Sequence, residues 1–358
     1  MQTWAIVAGV VLIALVLWDA FETIILSRRV SRRIRLASLF YRLTWPGWRA
    51  VGMRMRPGNP RENYLSVYGP LSLIGLLVLW AVSLIVAFSL LMWGWNAPIQ
   101  RIAGTEGFPE YLYFSGSTFF TLGLGDVAPL STAGRALSVT EAGTGFAFLA
   151  LMISYLPILY QAFSRREVDI ALLDARAGSP PSAAELLRRH AEDPEALRHL
   201  LRDWEEWSAQ LLESQISFPV LAYFRSQHDN QSWLAGLTTI LDTSSLLIVS
   251  VEGALARSAR LTFAMARHAM ADMNAIFTRS RRAPPIEERL PPAELARLRE
   301  RLDASGFVLP KTPDVLEHFA ELREMYEPYA HALSRHLLMP LPAWLPAPNA
   351  PDNWQRLE

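Results

Sequence analysis

Cysteine is absent from the 358 residues, which excludes disulfides, thiol nucleophiles and cysteine-ligated metals or clusters. Lysine is nearly absent as well. Lys311 stands alone against 33 arginines, a bias that reads as a GC-rich genome rather than a binding preference. No alternating apolar–polar run of strand length occurs, so a β or α/β core has no support. The Gly-x-Gly-x-x-Gly fingerprint, a calcium loop and a phosphate-cradling loop are all missing. The seven histidines are scattered between residues 190 and 336, and His331 and His336 stand five apart rather than the four that would stack them on one helical face. No metal set, nucleophile–base pair or cofactor signature emerges, so an enzyme is not expected. No charged residue occurs between Asn63 and Gln100.

That last gap belongs to a series of long apolar segments. Thr3 to Leu26 is about 24 residues, or roughly 36 Å as a helix, enough to cross a bilayer with some tilt. No positive residue precedes it and the arginines follow it, which argues for a retained span over a cleaved leader. A second apolar helix is expected over about Val67 to Trp93, and a third over about Thr132 to Phe163, carrying only Glu141 as an acid. Between them, Glu110 to Asp126 is apolar but too short to span. A segment of that kind can be re-entrant when protein or a water-filled pore covers its backbone.

Formal net charge is zero, but its distribution is uneven. Residues 27–63 hold ten arginines and one acid, Glu62. The positive-inside rule then makes this loop cytoplasmic, the amino terminus external, the 95–131 loop external and everything after Phe163 internal. Arg165 and Arg166 agree. The juxtamembrane position favours contact with anionic lipid, and no nucleic-acid partner is expected.

Ser117 to Pro129 reads Ser-Thr-Phe-Phe-Thr-Leu-Gly-Leu-Gly-Asp-Val-Ala-Pro, between two spans and on the external side by charge. Alternating glycines permit the backbone angles that turn successive carbonyls toward one axis, where they can replace the hydration of a cation. The run Thr-x-Gly-x-Gly-Asp in this setting resembles the pore loop of the potassium channel superfamily, over roughly residues 65 to 163. The resemblance implies filter rungs at Thr121, Leu122, Gly123 and Leu124, with Gly125 following and Asp126 at the outer mouth. It implies a pore helix over Tyr111 to Phe120, a homotetramer around one pore, and potassium as the permeant ion. Gly145 falls where the family commonly has a gating-hinge glycine; Gly143 and Pro157 are further bend candidates, with close helix packing as the alternative role for the glycines. The filter departs from the usual Thr-Val-Gly-Tyr-Gly-Asp. Leu124 lacks the tyrosine hydroxyl that commonly tethers the filter, Leu122 is less stiff than valine, and sodium permeation stays open.

Asp19 and Glu22 share one face near the inner end of the first span. Each carboxylate there costs about 2.5–3.5 kcal/mol to insert, so partners are required: Arg28, Arg29 or another loop arginine, or a contact that modulates the gate. Glu141 in the third span either braces the pore helix from behind or pairs with Arg135.

After Arg165 the pattern is helical. Ser182-x-x-Glu185 and Asp193-Pro194-Glu195 mark helix starts, as do Pro291-Pro292 and Thr312-Pro313. Leu234 to Leu255 is apolar enough to span, yet it carries Asp242 and Glu252 and is expected to be a buried core helix.

The expectation is an all-α membrane protein. Three transmembrane helices with a re-entrant pore helix and filter loop precede an all-α cytoplasmic domain. The segments are 1–26 (first span), 27–63 (arginine-rich loop), 64–163 (pore unit), 164–345 (cytoplasmic domain) and 346–358 (proline-rich tail). The expected function is a cation channel in a plasma (bacterial inner) membrane. A weakly selective channel, or a non-conducting membrane-anchored sensor or scaffold, is the alternative.

Overall fold

The computed structural model describes residues 2–26, 35–100, 107–228, 230–278 and 288–346. Among them every regular element is helical and strand pairing is limited to one isolated bridge. The chain divides into two units, residues 1–48 with 67–161 and residues 49–66 with 162–358. Among the described residues three helices run from one unit into the other.

The first unit is built from α1 (Thr3–Ala20), most of α2 (Leu36–Arg54), α3 (Asn59–Trp95), α4 (Phe108–Phe119) and the first part of α5 (Thr132–Ala177). Small residues decide how closely α1 lies on α3. A Cβ at Gly9 would stand 2.7 Å from the Ala87 carbonyl oxygen, and one at Gly94 would stand 2.9 Å from the Ile6 nitrogen. Close backbone approach of this kind is how helices associate in lipid, where burying apolar surface supplies no drive. Beneath that crossing, Val16, Ala20, Trp80, Leu84 and Phe119 form one apolar cluster; Met92, Ile99, Tyr111, Phe114 and Val127 form a second.

Two helices differ from the sequence expectation. The arginine-rich segment expected as a loop contains α2, which runs through Pro46 and packs Trp45 on Tyr68 with ring centroids 4.8 Å apart. The third span does not stop at Phe163. It continues to Ala177 through Pro157, so the unit boundary at 161/162 falls inside a helix. At 46 residues, or about 69 Å, α5 is far longer than the ~30 Å hydrocarbon layer and must leave it.

The second unit contains α6 (Ala183–Arg189), α7 (Pro194–Ser217), α8 (Trp233–Ser250), α9 (Gly253–Phe277), α10 (Pro292–Asp303), α11 (Pro313–Glu324) and α12 (Glu327–Leu337). The expected caps are in place: Ser182 accepts from Glu185 N and Asp193 from Ala196 N. Among the described residues four helices are long and apolar enough to cross a membrane, but they divide sharply by burial. The apolar window of α8 is 83% buried within its own chain, against 28%, 44% and 22% for α1, α3 and α5. Helix α8 is the core of this unit, packed on α7, α9, α11 and α12.

Asp242, fully buried on α8, receives both guanidinium nitrogens of Arg289 at 3.0 and 2.5 Å and the Tyr326 hydroxyl at 2.5 Å. Arg289 also reaches Glu327 at 3.3 Å, and Arg323 closes the chain of charges at 3.1 Å from Glu327. Alternating charges make this burial tolerable, since each would be costly unpaired. Burial combined with the Asp242 and Glu327 charges pushes the Tyr326 phenol well above its ordinary range.

Candidate pore-loop site

Helix α4 begins with Pro109 in its first turn, where proline costs no hydrogen bond, and ends at Phe119 as the chain tightens. Thr121 N donates to the Thr118 carbonyl at 3.0 Å and Leu122 N to the Ser117 carbonyl at 2.8 Å, tying the start of the expected filter to the last turn of the helix. The backbone then alternates. Thr121, Gly123 and Gly125 have φ of +56°, +58° and +79°, whereas Leu122 and Leu124 do not enter the left-handed region. In an ordinary extended strand successive carbonyls face opposite ways; placing every second residue in the left-handed region brings them toward a common side. Glycine adopts that region freely, but threonine is β-branched and pays about 1–2 kcal/mol for it. Such an outlier persists only where the surroundings impose it, which is a recurrent property of functional sites. The glycines announce the alternation in the sequence; the threonine does not.

Two clamps hold the loop beyond Gly125. Gln100 N donates to the Ala128 carbonyl at 2.7 Å and Leu130 N to the Pro98 carbonyl at 2.9 Å, pairing the two flanks. The Tyr113 hydroxyl on α4 donates to Asp126 Oδ2 at 2.8 Å, while Asp126 Oδ1 accepts from Val127 N at 3.0 Å. Tyr113 carries no motif signal and was not legible as a site residue. It ties α4 to Asp126 at the end of the Thr121–Asp126 run, a contact that Leu124 cannot make.

Behind the loop, Glu141 is fully buried on α5 and contacts the Ser115 hydroxyl on α4. Arg135 lies elsewhere, with its Nε directed at the Pro129 carbonyl at 3.3 Å. Of the two roles expected for Glu141, the contact with the pore helix is the one present. Gly145, one turn further along, has the tightest glycine environment among the described residues: a Cβ there would fall 2.1 Å from the Phe119 carbonyl oxygen. It permits α5 to cross the carboxyl end of α4. Gly143 has open space around its Cβ position, and Pro157 lies within the continuous helix.

The acids of α1 form a separate cluster. Asp19 Oδ2 accepts from Ala37 N at 2.9 Å and from Trp80 Nε1 at 3.0 Å, and Glu22 Oε1 accepts from Trp18 Nε1 at 2.8 Å. Arg35 stands 3.9 Å from Asp19 and 3.6 Å from Glu22. Their cation is therefore Arg35; Arg28 and Arg29 lie outside the described residues. The π-helical turn Phe21–Ile25 surrounds Glu22.

In the single chain Leu122 and Leu124 are each 63% exposed, and Thr121 to Asp126 are exposed throughout. One chain does not enclose this loop.

No curated protein and no solved structure matches the chain. Residues 75–162, which run from the middle of α3 through α4 and the Thr121–Asp126 run to the middle of α5, match the family model described as "Ion channel". Over this segment the chain is similar to the two-transmembrane, potassium-channel-like ion channel family.

Proposed function

We propose that this protein is a homotetrameric cation channel that conducts potassium passively through the carbonyls of Thr121, Leu122, Gly123 and Leu124. The observation that carries the reading is the left-handed backbone at Thr121, Gly123 and Gly125, placed at the carboxyl end of α4. Carbonyl oxygens arranged on one side can replace the water a cation sheds, and a helix carboxyl end directed at the same place favours positive charge. Asp126 from each of four chains would form an anionic ring that concentrates cations at the entrance. Exposure of the whole filter in one chain supports assembly, because four copies are needed to surround a pore.

In the membrane, the charge distribution supports an external amino terminus and filter and a cytoplasmic second unit. The arginines of residues 27–63 would face anionic headgroups of a bacterial inner membrane. Gating belongs to α5, with Gly143 and Pro157 as the bend positions left free by the close packing of Gly145.

Purified protein in liposomes tests the function. Potassium-driven flux that is abolished by Gly123→Ala or Gly125→Ala is expected; absence of flux in every cation would leave a membrane-anchored sensor or scaffold. A specific observation favours a second reading, weak selectivity: Leu124 offers no hydroxyl to tether the filter, and the side-chain tether seen at its exit is Tyr113 to Asp126. Reversal potentials under opposed potassium and sodium gradients separate the two. A value near the potassium equilibrium potential supports the selective channel, and a value near zero supports the weakly selective one.

A further inference from the structure

Glu141 presents a problem of proton counting. Ser115 Oγ, on the pore helix, touches two groups: the Ile85 carbonyl at 2.8 Å and Glu141 Oε1. A hydroxyl has one proton to donate. The Ile85 carbonyl can only accept, and it accepts from Ser89 Oγ at 2.7 Å as well. Were Glu141 ionised, it too could only accept, and one of the two contacts of Ser115 would be an oxygen facing an oxygen with no proton between them. Both contacts are satisfied when Glu141 carries the second proton, giving it to Ser115 Oγ while Ser115 gives its own to Ile85.

The surroundings point the same way. Glu141 is 0% exposed within one chain, so neither lipid nor a neighbouring copy is required to complete its environment. The elements packed around it provide no cation: α3 has no charge after Glu62, α4 carries only Glu110, and the nearest arginine on α5, Arg135, faces the Pro129 carbonyl. The second oxygen, Oε2, is buried without a hydrogen-bond partner. An ionised carboxylate left in that condition in a membrane-embedded core would carry a cost of several kcal/mol, whereas a neutral acid with one good hydrogen bond carries far less.

We infer that Glu141 is a neutral hydrogen-bond donor whose relay through Ser115 to the Ile85 carbonyl fixes the pore helix between α3 and α5, making Glu141 a positioning residue for the filter. The relay joins the three helices of the pore unit at one point, in the penultimate turn region of α4, six residues before the left-handed Thr121. A shift of α4 there moves the start of the filter directly.

The inference rests on the channel reading for its consequence but not for its chemistry, so two measurements are paired. The first is the infrared difference spectrum between wild type and Glu141→Gln in liposomes at neutral pH. Loss of a carboxylic-acid carbonyl stretch in the variant is expected; loss of carboxylate stretches instead overturns the inference whether or not the protein conducts. The second is the potassium-to-sodium permeability ratio, alongside tetramer yield. Glu141→Gln, which keeps a donor of the same length, retains the wild-type ratio. Ser115→Ala lowers the ratio severalfold with the tetramer intact, as does Glu141→Ala if it assembles. A Glu141→Gln protein that behaves like Glu141→Ala, or a Ser115→Ala protein with an unchanged ratio, overturns the positioning role. Failure of the wild type itself to conduct counts against the channel reading and leaves the infrared result to decide the protonation.

Discussion

Gly143 and Gly145 lie two positions apart on α5 and meet opposite surroundings. Alanine at 145 would drive its methyl group into the Phe119 carbonyl, 2.1 Å away on a backbone that cannot step aside without moving the pore helix. Overpacking of this kind costs about 1–3 kcal/mol or more. Gly145→Ala is expected to lose folded tetramer in detergent, measured by size-exclusion yield. Gly143→Ala meets nothing within 4 Å and gains helix propensity of up to about 1 kcal/mol, so it keeps its tetramer, and any effect appears in channel opening alone. Equal yields for the two would contradict the packing role. In sequence the two glycines stand two positions apart and could not be ranked, because the deciding atom belongs to a residue 26 positions earlier. Tyr113 was illegible for a similar reason: its partner Asp126 is 13 residues away across a loop. Tyr113→Phe removes that tether with almost no change in volume, at a net cost of about 0.5–1.5 kcal/mol. Its expected signature is unchanged assembly with a lower potassium-to-sodium permeability ratio; an unchanged ratio would show that the loop flanks alone hold the filter exit.

Helix ends explain which elements were legible. Caps written by neighbouring residues, such as Ser182 and Asp193, can be read directly, and the helices they open begin where expected. Helices that continue through a proline, α2 at Pro46 and α5 at Pro157, defeat the same reading, because packing along the rest of the helix outweighs one lost hydrogen bond. The carboxyl end of α12 was also invisible in sequence. Its last carbonyls are capped from afar: Arg49 donates to the Arg335 carbonyl at 3.0 and 3.1 Å, and Arg225 donates to the carbonyls of Leu337 and Leu338. His336 sits among these arginines. Burial, reinforced by the charge of Arg49, pulls its imidazole down from the usual 6.5 to about 4. The sign follows from linkage. The unfolded chain binds a proton at His336 near pH 6.5 and the folded chain does not until about pH 4, so the contribution is fully present above 6.5 and is lost as pH falls toward 4. The full swing is on the order of 3 kcal/mol. Thermal unfolding at pH 7 and pH 5 should therefore show a smaller pH dependence for His336→Asn than for wild type. Parallel loss of stability in both proteins would assign the acid sensitivity to other groups.

For the whole molecule, α8 decides on which side of the bilayer the helices that follow it stand. Length and composition alone allow α8 to cross, as they allow α1, α3 and α5. If it crossed, α7 and α10 would lie on opposite sides of the membrane; if it is a core helix, they lie on the same side. Burial favours the core, since a helix 83% covered by its own chain has little apolar surface left for lipid, and Asp242 on it is held by Arg289 and Tyr326 rather than by water. The absence of cysteine makes the question directly measurable, because every introduced thiol is the only one in the protein. Three single substitutions at exposed positions suffice: Leu130→Cys beside the filter, Gln210→Cys on α7 and Ala304→Cys just after α10. With a membrane-impermeant maleimide on intact cells, Leu130→Cys should label, while Gln210→Cys and Ala304→Cys should label only after permeabilisation. Opposite accessibility for Gln210→Cys and Ala304→Cys would make α8 a fourth span despite its burial. Labelling of all three from the same side would reject the charge-based topology, and with it the placement of the filter at the external end of the pore. Leu130 labelled from the cytoplasmic side alone, with the other two external, would invert the molecule and require the arginines of residues 27–63 to face outward, against the charge asymmetry that orients membrane helices.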